Sequence, residues 1–393
     1  MVLFGVFMSG SVVRYLKYNE QHLGLPMISF KQFLLLEGGN VIIDDQEAER
    51  IDLSKHDRSL IVPAITTLLK SINTAFAKSS GSPLWNAELF TNKSFLSGSA
   101  FHFFATEQIP DDKFKKVKPS VGDIDTQVDR AQKTAIDGFL SSNKGQTVGP
   151  AKLIGHKVSG EQFISLWHLT KFNINIQIDF ELVDFADGAP TAWAQFSHSS
   201  DWGDMTKKLK GVAHKMLLRA LSAPKLMSVV IKAKTARGKD KEVLSASHAF
   251  SVTHGIRKKL KPVLDDAGKH LSINGKPAYH EMGTAESEGV TDLHQIYEYF
   301  FGAAPSRMDL KKFGSFTGLI DLIKTKLPKQ DWVKIADGFV NTLWGAGAQG
   351  LYRGDALKDN EEKTAMVSIL CDELGVSATK YATTKEEYYK AYK

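Results

Sequence analysis

The chain has a single cysteine, Cys371, in 393 residues. That excludes an intramolecular disulfide and any zinc site built from several thiolates, and it fits a reducing compartment such as the cytoplasm. Long apolar runs are missing too. The opening "MVLFGVFMSGSVVRYLKY" is apolar over too few residues to span a bilayer and lacks a leading basic region, and the sequence predicts no membrane-spanning segment elsewhere. A dominant charge is absent: 50 Lys+Arg against 44 Asp+Glu leave a formal charge of +6, spread along the chain rather than gathered in a tail. Such a small excess favours a polyanionic partner only weakly, since a solvated basic surface explains it as well. There is no internal repeat and no extended low-complexity tract.

What is present is a globular composition, 42% hydrophobic and 24% charged, in a chain longer than the usual single domain. The pattern divides it into an N-terminal extension (1–50), a core (51–223), a small mixed α/β module (224–305) and a helical C-terminal region (306–393). "SLIVPAITTLLKSINTAFAKSS" carries apolar residues at helical spacing and predicts an amphipathic helix. "IPDDKFKKVKPS", residues 109–120, has two prolines and four lysines and reads as a surface loop, with a strand resuming at Val121. "FNINIQIDFELVDF", residues 172–185, alternates: Ile174, Ile176, Ile178 and Phe180 share one face with Phe172, while Asn173, Asn175, Gln177, Asp179 and Glu181 share the other. "DMTKKLKGVAHKMLLRALSA" predicts one helix closed by Pro224. "KLMSVVIKAK" and "EVLSASHAFSV" predict strands, and "TDLHQIYEYFFG" predicts a helix ending at Gly302.

Chemistry concentrates in two stretches, "FLSGSAFHFF" (95–104) and "VGDIDTQVD" (121–129). On a strand, Asp123 and Asp125 share one face while Ile124 faces a core. Adjacent carboxylates repel unless cations neutralise them, and hard oxygen ligands at this separation suit Mg²⁺ or Mn²⁺. If the 172–185 strand lies alongside, Asp179 becomes the third carboxylate of a site for two metals, the arrangement that phosphoryl transfer to a hydroxyl commonly uses. The turn Ser97-Gly98-Ser99 offers backbone N–H groups and small hydroxyls where a triphosphate can approach closely.

A Gly-Ser turn, then a strand with Asp-hydrophobic-Asp, then an acidic residue on a later strand, resembles the DNA polymerase beta-like nucleotidyltransferase superfamily over roughly residues 60–222. The resemblance implies an α+β fold with a mixed sheet flanked by helices. It also implies that Gly98 and Ser99 hold nucleotide phosphates, that Asp123 and Asp125 bind both metals, and that Asp179 completes one metal site and helps activate the acceptor hydroxyl. The spacing from Ser99 to Asp123 exceeds the family's, and the excess falls in the 109–120 segment. The implied activity is transfer of NMP from an NTP, ATP among them, to a hydroxyl, with a nucleic-acid 3′ end the preferred acceptor. The alternative is an inactive module of the same fold that binds nucleic acid or a protein partner. "MISFKQFLLLEGGN" reads as a fresh start at Met27, which sets the first 26 residues outside the core as an expected extension, and it is also similar to the openings of proteins from large tailed phages, which points to a host cytoplasm.

Competing readings of the same residues are a solvated acidic strand face and a glycosyltransferase metal pair. The second normally follows an alternating β/α nucleotide-sugar domain that the sequence lacks. A calcium loop fails because Val128 stands where Gly is needed and Thr134 where Glu is needed. "GAGAQG" (345–350) follows a helical pattern rather than a strand, and "YHEMG" has no second His four residues on, so neither carries its motif's function. Lys208 and Lys210, near the presumed site in sequence, are candidate phosphate contacts. "AQFSHSSDWGD" (194–204), with His198, Ser199, Ser200 and Trp202, is a pocket wall or a capping loop, and "HGIRKKLKP" (254–262) is a phosphate-backbone contact or a solvated helix face.

Overall fold

The structure, a computed structural model, describes residues 41–222 except 208 and 210, then His254 and strand residues between 228 and 286, then 289–344 and 360–391. The stretch from Met27, Lys208, Lys210 and "GAGAQG" lie outside the described residues.

Helix α1 (Arg58–Ser80) starts where the Asp57 side chain accepts from the Ser59 N–H and stops at Gly81, whose φ of 83° needs a residue without a side chain. Its inner face buries Ile61, Ile65, Leu68, Leu69, Ile72 and Phe76 completely, each worth roughly 1.5–3 kcal/mol relative to exposure. By length and composition alone this helix could cross a bilayer, contrary to the sequence expectation. Here its apolar face lies in the core instead.

Chain order gives β1 (Ile42–Ile43), β2 (Gln46–Glu47), β3 (Ile51–Asp52), α1, α2 (Ala87–Asn92), α3 (Gly98–Phe104), α4 (Asp111–Val117), β4 (Ser120–Val121), β5 (Asp123–Asp129), α5 (Lys133–Ser142), β6 (Thr147–Val148), β7 (Ala151–Ser159), β8 (Gln162–Leu169) and β9 (Ile174–Val183). The main sheet is mixed and runs β5-β9-β8-β7-β6. β5 lies parallel to β9, and the other pairs are antiparallel. One face carries Ile124, Val128, Ile178 and Phe180 into a core shared with α1 and α5, where Phe76 meets Phe139 edge-on. On the other face Ile164 and Leu166 pack under the β1–β2 hairpin. The fold is therefore α+β with a five-stranded mixed sheet.

Residues 111–117 form α4, not a loop. Pro110 precedes the first turn, Asp111 and Asp112 complement the positive end of the helix, and Lys115 and Lys116 the negative end. Phe114 is fully buried, 4.5 Å beneath the Arg58 guanidinium and stacked on Trp202. Arg58 is itself buried and donates to the carbonyls of His102, Phe103 and Ile109 and to Asp111. One side chain thus ties the start of α1, the end of α3 and the start of α4 together.

After β9 comes α6 (Ala192–His198), and the single helix expected over 204–223 is two, α7 (Trp202–Thr206) and α8 (Gly211–Ser222). The break lets Gly211 approach so closely that an added Cβ would lie 3.2 Å from the Ser199 carbonyl oxygen. From Trp193 onward the buried residues belong to a second core, made by α8 with α9 (Leu293–Phe301), α10 (Arg307–Phe313), α11 (Phe316–Lys326), α12 (Lys329–Trp344) and α13 (Asn360–Leu374). The sequence pattern sets the end of the first unit at 223, whereas the buried clusters change near 193. Asp204 bridges the connector to this helical unit, accepting from the Phe316 N–H (2.6 Å) and the Thr317 hydroxyl (2.9 Å). Cys371 is fully buried there, and burial pushes its thiol up to about 11, which disfavours the thiolate. Strands Ser228–Lys234 and Asp240–Ala246 pair, but the single strand expected over 242–252 is divided: His248–Ser251 pairs instead with residues 255–262, which form a strand rather than a helix face.

Candidate metal centre

Parallel pairing sets Asp125 opposite Asp179 and Asp123 opposite Gln177, so Asp123, Asp125, Gln177 and Asp179 project from one face of neighbouring strands. One oxygen from each of Asp123, Asp125 and Asp179 lies within 4.8 Å of the other two. Asp179 is 4% exposed, while Asp123 and Asp125 are half-buried and reach solvent. Thr126, on the opposite face, is fully buried and its hydroxyl donates to the Asp179 carbonyl, fixing β5 against β9 where the carboxylates meet.

The Ser97-Gly98-Ser99 turn is bolted to the outer edge of β5. The Ser97 N–H donates to the Asp125 carbonyl (3.1 Å) and the Gln127 N–H to the Phe95 carbonyl (2.7 Å). Gly98 has φ +53°, and an added Cβ would stand 2.8 Å from Asp125 Oδ2. Glycine is needed there both for the backbone conformation and for the space beside the carboxylate. The Ser97 hydroxyl is buried and donates to Glu181 (2.7 Å), which makes Ser97 a support for the turn. Ser99 instead accepts from the Lys118 ammonium. The Ser200 hydroxyl donates to the Gly98 carbonyl (2.8 Å), so the 194–204 segment braces the turn from the far side.

Sequence reasoning missed four participants. Glu181 sits two residues beyond Asp179 on the same strand face and lies 3.0 Å from His198 Nδ1; the alternation that found Asp179 also points to it. Lys157 stands in one cross-sheet row with Ile164, Asp179 and Asp125. Lys118, at the end of α4, is brought to the turn by tertiary packing that no local pattern reveals. Arg50 adds a fourth charge, acting on Asp123.

The electrostatics follow from this crowding. Burial and mutual repulsion hold the Asp125 and Asp179 carboxyls well above the usual carboxylate range, and burial raises Asp123 less because Lys118 and Arg50 pull against it. Burial alone would raise Glu181 too, but the His198 charge and hydrogen bond, with Lys215 and the Ser97 hydroxyl, hold it below its ordinary value. Glu181 is thus held ionised by protein groups, while repulsion and burial outweigh the neighbouring cations at the three aspartates, a set that could hold a metal ion. Gln177 donates to both Asp179 oxygens (2.9 and 3.0 Å), yet its own carbonyl oxygen is buried without a partner. An unpaired buried acceptor beside an all-oxygen triad fits a hydrated hard cation, whose bound water would supply the missing donor.

No protein-family model matches the chain, and no curated protein matches its sequence.

Proposed function

We propose that the chain is a metal-dependent nucleotidyltransferase of the polymerase beta-like type, transferring NMP from an NTP to a hydroxyl acceptor. The observation that carries this is the convergence of Asp123, Asp125 and Asp179 within 4.8 Å beside a turn whose glycine leaves space at Asp125. Two Mg²⁺ or Mn²⁺ ions held there would acidify the attacking hydroxyl and offset the charge of departing pyrophosphate.

In the reaction the acceptor oxygen forms a bond to the α-phosphorus, the bond from that phosphorus to the α,β-bridging oxygen breaks, and its electron pair leaves with pyrophosphate. Asp179 takes the hydroxyl proton. Gln177 orients it through both oxygens. The Ser99 hydroxyl, already in contact with the Lys118 ammonium, would meet phosphate oxygens at the turn. Cations around an acidic centre favour a polyphosphate substrate over a lone metal ion: Lys118 and Arg50 act on Asp123, and Lys157 acts on Asp179. A nucleic-acid 3′ end is the preferred acceptor.

The test is incubation with each α-labelled NTP, Mg²⁺ or Mn²⁺, and RNA, DNA and protein acceptors, beside the Asp123→Ala/Asp125→Ala variant. Label transfer that the variant loses supports the reading and names the acceptor. No transfer, with nucleic-acid binding equal in both proteins, makes the chain a binding module of the same fold.

A further inference from the structure

The segment that lengthens the spacing between the turn and the aspartates holds four lysines, and their placements differ. Lys113, Lys115 and Lys116 are exposed on α4. Lys118 closes that helix, its N–H donating to the Phe114 carbonyl at 2.7 Å, and is half-buried with its ammonium on the Ser99 hydroxyl. The support beneath it is rigid: Phe114 is packed between the Arg58 guanidinium and the Trp202 ring. Its charge acts on both Asp123 and Asp125. The packing therefore selects one lysine of four and aims it at the edge of the acidic cluster.

We propose that Lys118 is a resident counter-ion of the aspartate cluster that shifts to the β- and γ-phosphates of an incoming nucleoside triphosphate when the carboxylates are metal-bound. This rests on the metal-centre reading, to which the unpaired Gln177 oxygen is an independent pointer. With the carboxylates bare, an ammonium beside them offsets their repulsion. Once divalent cations neutralise them, the same ammonium faces net positive charge, and a triphosphate is the anion that restores balance. An ammonium suits this exchange because it is a compact charge with three donors on a flexible stem, one of them already at Ser99. The inserted helix, absent from the spacing of the family that the sequence resembles, would thus supply a phosphate ligand of this chain's own.

The test reads binding, not turnover. Mn²⁺ affinity is measured by electron paramagnetic resonance without nucleotide, and affinity for a non-hydrolysable NTP analogue by calorimetry in Mn²⁺, for wild type, Lys118→Met and Lys118→Arg. Thermal melts check that each variant is folded. Lys118→Met should bind Mn²⁺ several-fold more tightly and the analogue on the order of tenfold more weakly, a loss of about 1.4 kcal/mol, with Lys118→Arg close to wild type in both. Unchanged affinities, or parallel weakening of both ligands by the Met variant, would overturn the role of Lys118. A wild-type protein that binds no Mn²⁺ at millimolar concentration would instead overturn the metal centre, and the Lys118 inference with it. If Lys118→Met fails to fold, Lys118→Gln takes the same comparison.

Discussion

Replacing Asp125 with Asn should stabilise the metal-free protein. Asparagine keeps the shape of the side chain, so the close approach to Gly98 survives, while one charge leaves a group of three carboxylates whose oxygens lie within 4.8 Å. A pair of unit charges at about 4.8 Å repels by about 0.9 kcal/mol in water and about 3.5 kcal/mol at an effective dielectric of about 20. Asp125 feels Asp123, Glu181 and Asp179 in addition to burial. Partial protonation and its solvent-facing side hold the relief to about 2 kcal/mol, or roughly 4–8 °C in Tm for a unit of this size. The sign with pH is fixed. A carboxyl raised above 3.8 costs stability once it ionises in the folded state, so the wild type loses stability as pH rises through the folded value, and below the unfolded value the two proteins converge. Thermal melts in EDTA from pH 4 to 8 make the measurement. Mn²⁺ at about 100 times its Kd should then raise wild-type stability by about 2.7 kcal/mol and the variant's by less. An Asp125→Asn protein less stable than wild type in EDTA at pH 7.5 would refute the claim that the cluster is strained without cations.

Gly98→Ala forces a side chain into a backbone with φ +53° and to within 2.8 Å of Asp125 Oδ2. A residue with a side chain in that conformation costs about 1–2 kcal/mol, and Mn²⁺ affinity should fall by at least tenfold; unchanged Mn²⁺ titrations would contradict the placement of the turn. Arg58→Met leaves the carbonyls of Phe103 and Ile109 without this donor and removes one of the two donors to that of His102. Urea denaturation should show a loss of at least about 3 kcal/mol from these buried acceptors. His214 is buried with Nε2 on the Phe313 carbonyl, and burial lowers it from 6.5 to about 4. Its contribution is present above pH 6.5 and is lost as pH falls through about 4, up to about 3 kcal/mol. His214→Gln should therefore show a flatter acid limb in melting experiments.

Much of the site was legible because a strand has a period of two. The alternation in "FNINIQIDFELVDF" put Asp179 on the polar face, and the same alternation in "VGDIDTQVD" paired Asp123 with Asp125; parallel register then brought the two sets together. Glu181 was readable by the same rule. What stayed hidden depended on distant contacts. Helix α4 looked like a loop because two flanking prolines and a run of lysines outweigh Phe114 and Val117, and the tertiary pocket made by Arg58 and Trp202 buries Phe114. The partition of 204–222 into α7 and α8 follows from Gly211 pressing against residues 199 and 200, and from Asp204 capping α11. Composition gave no sign of either. The cations facing the aspartates come from the end of α4, from β7 and from Arg50 just before β3, so their convergence is a property of the fold rather than of any motif.

The most direct test of the account is a crystal of the protein soaked in Mn²⁺ with a non-hydrolysable NTP analogue, with diffraction measured at the manganese edge. Anomalous peaks within ligand distance of Asp123, Asp125 and Asp179, with analogue phosphates beside Ser99, are the expected result. A fully occupied analogue bound elsewhere, with no anomalous signal at the three aspartates, would contradict it.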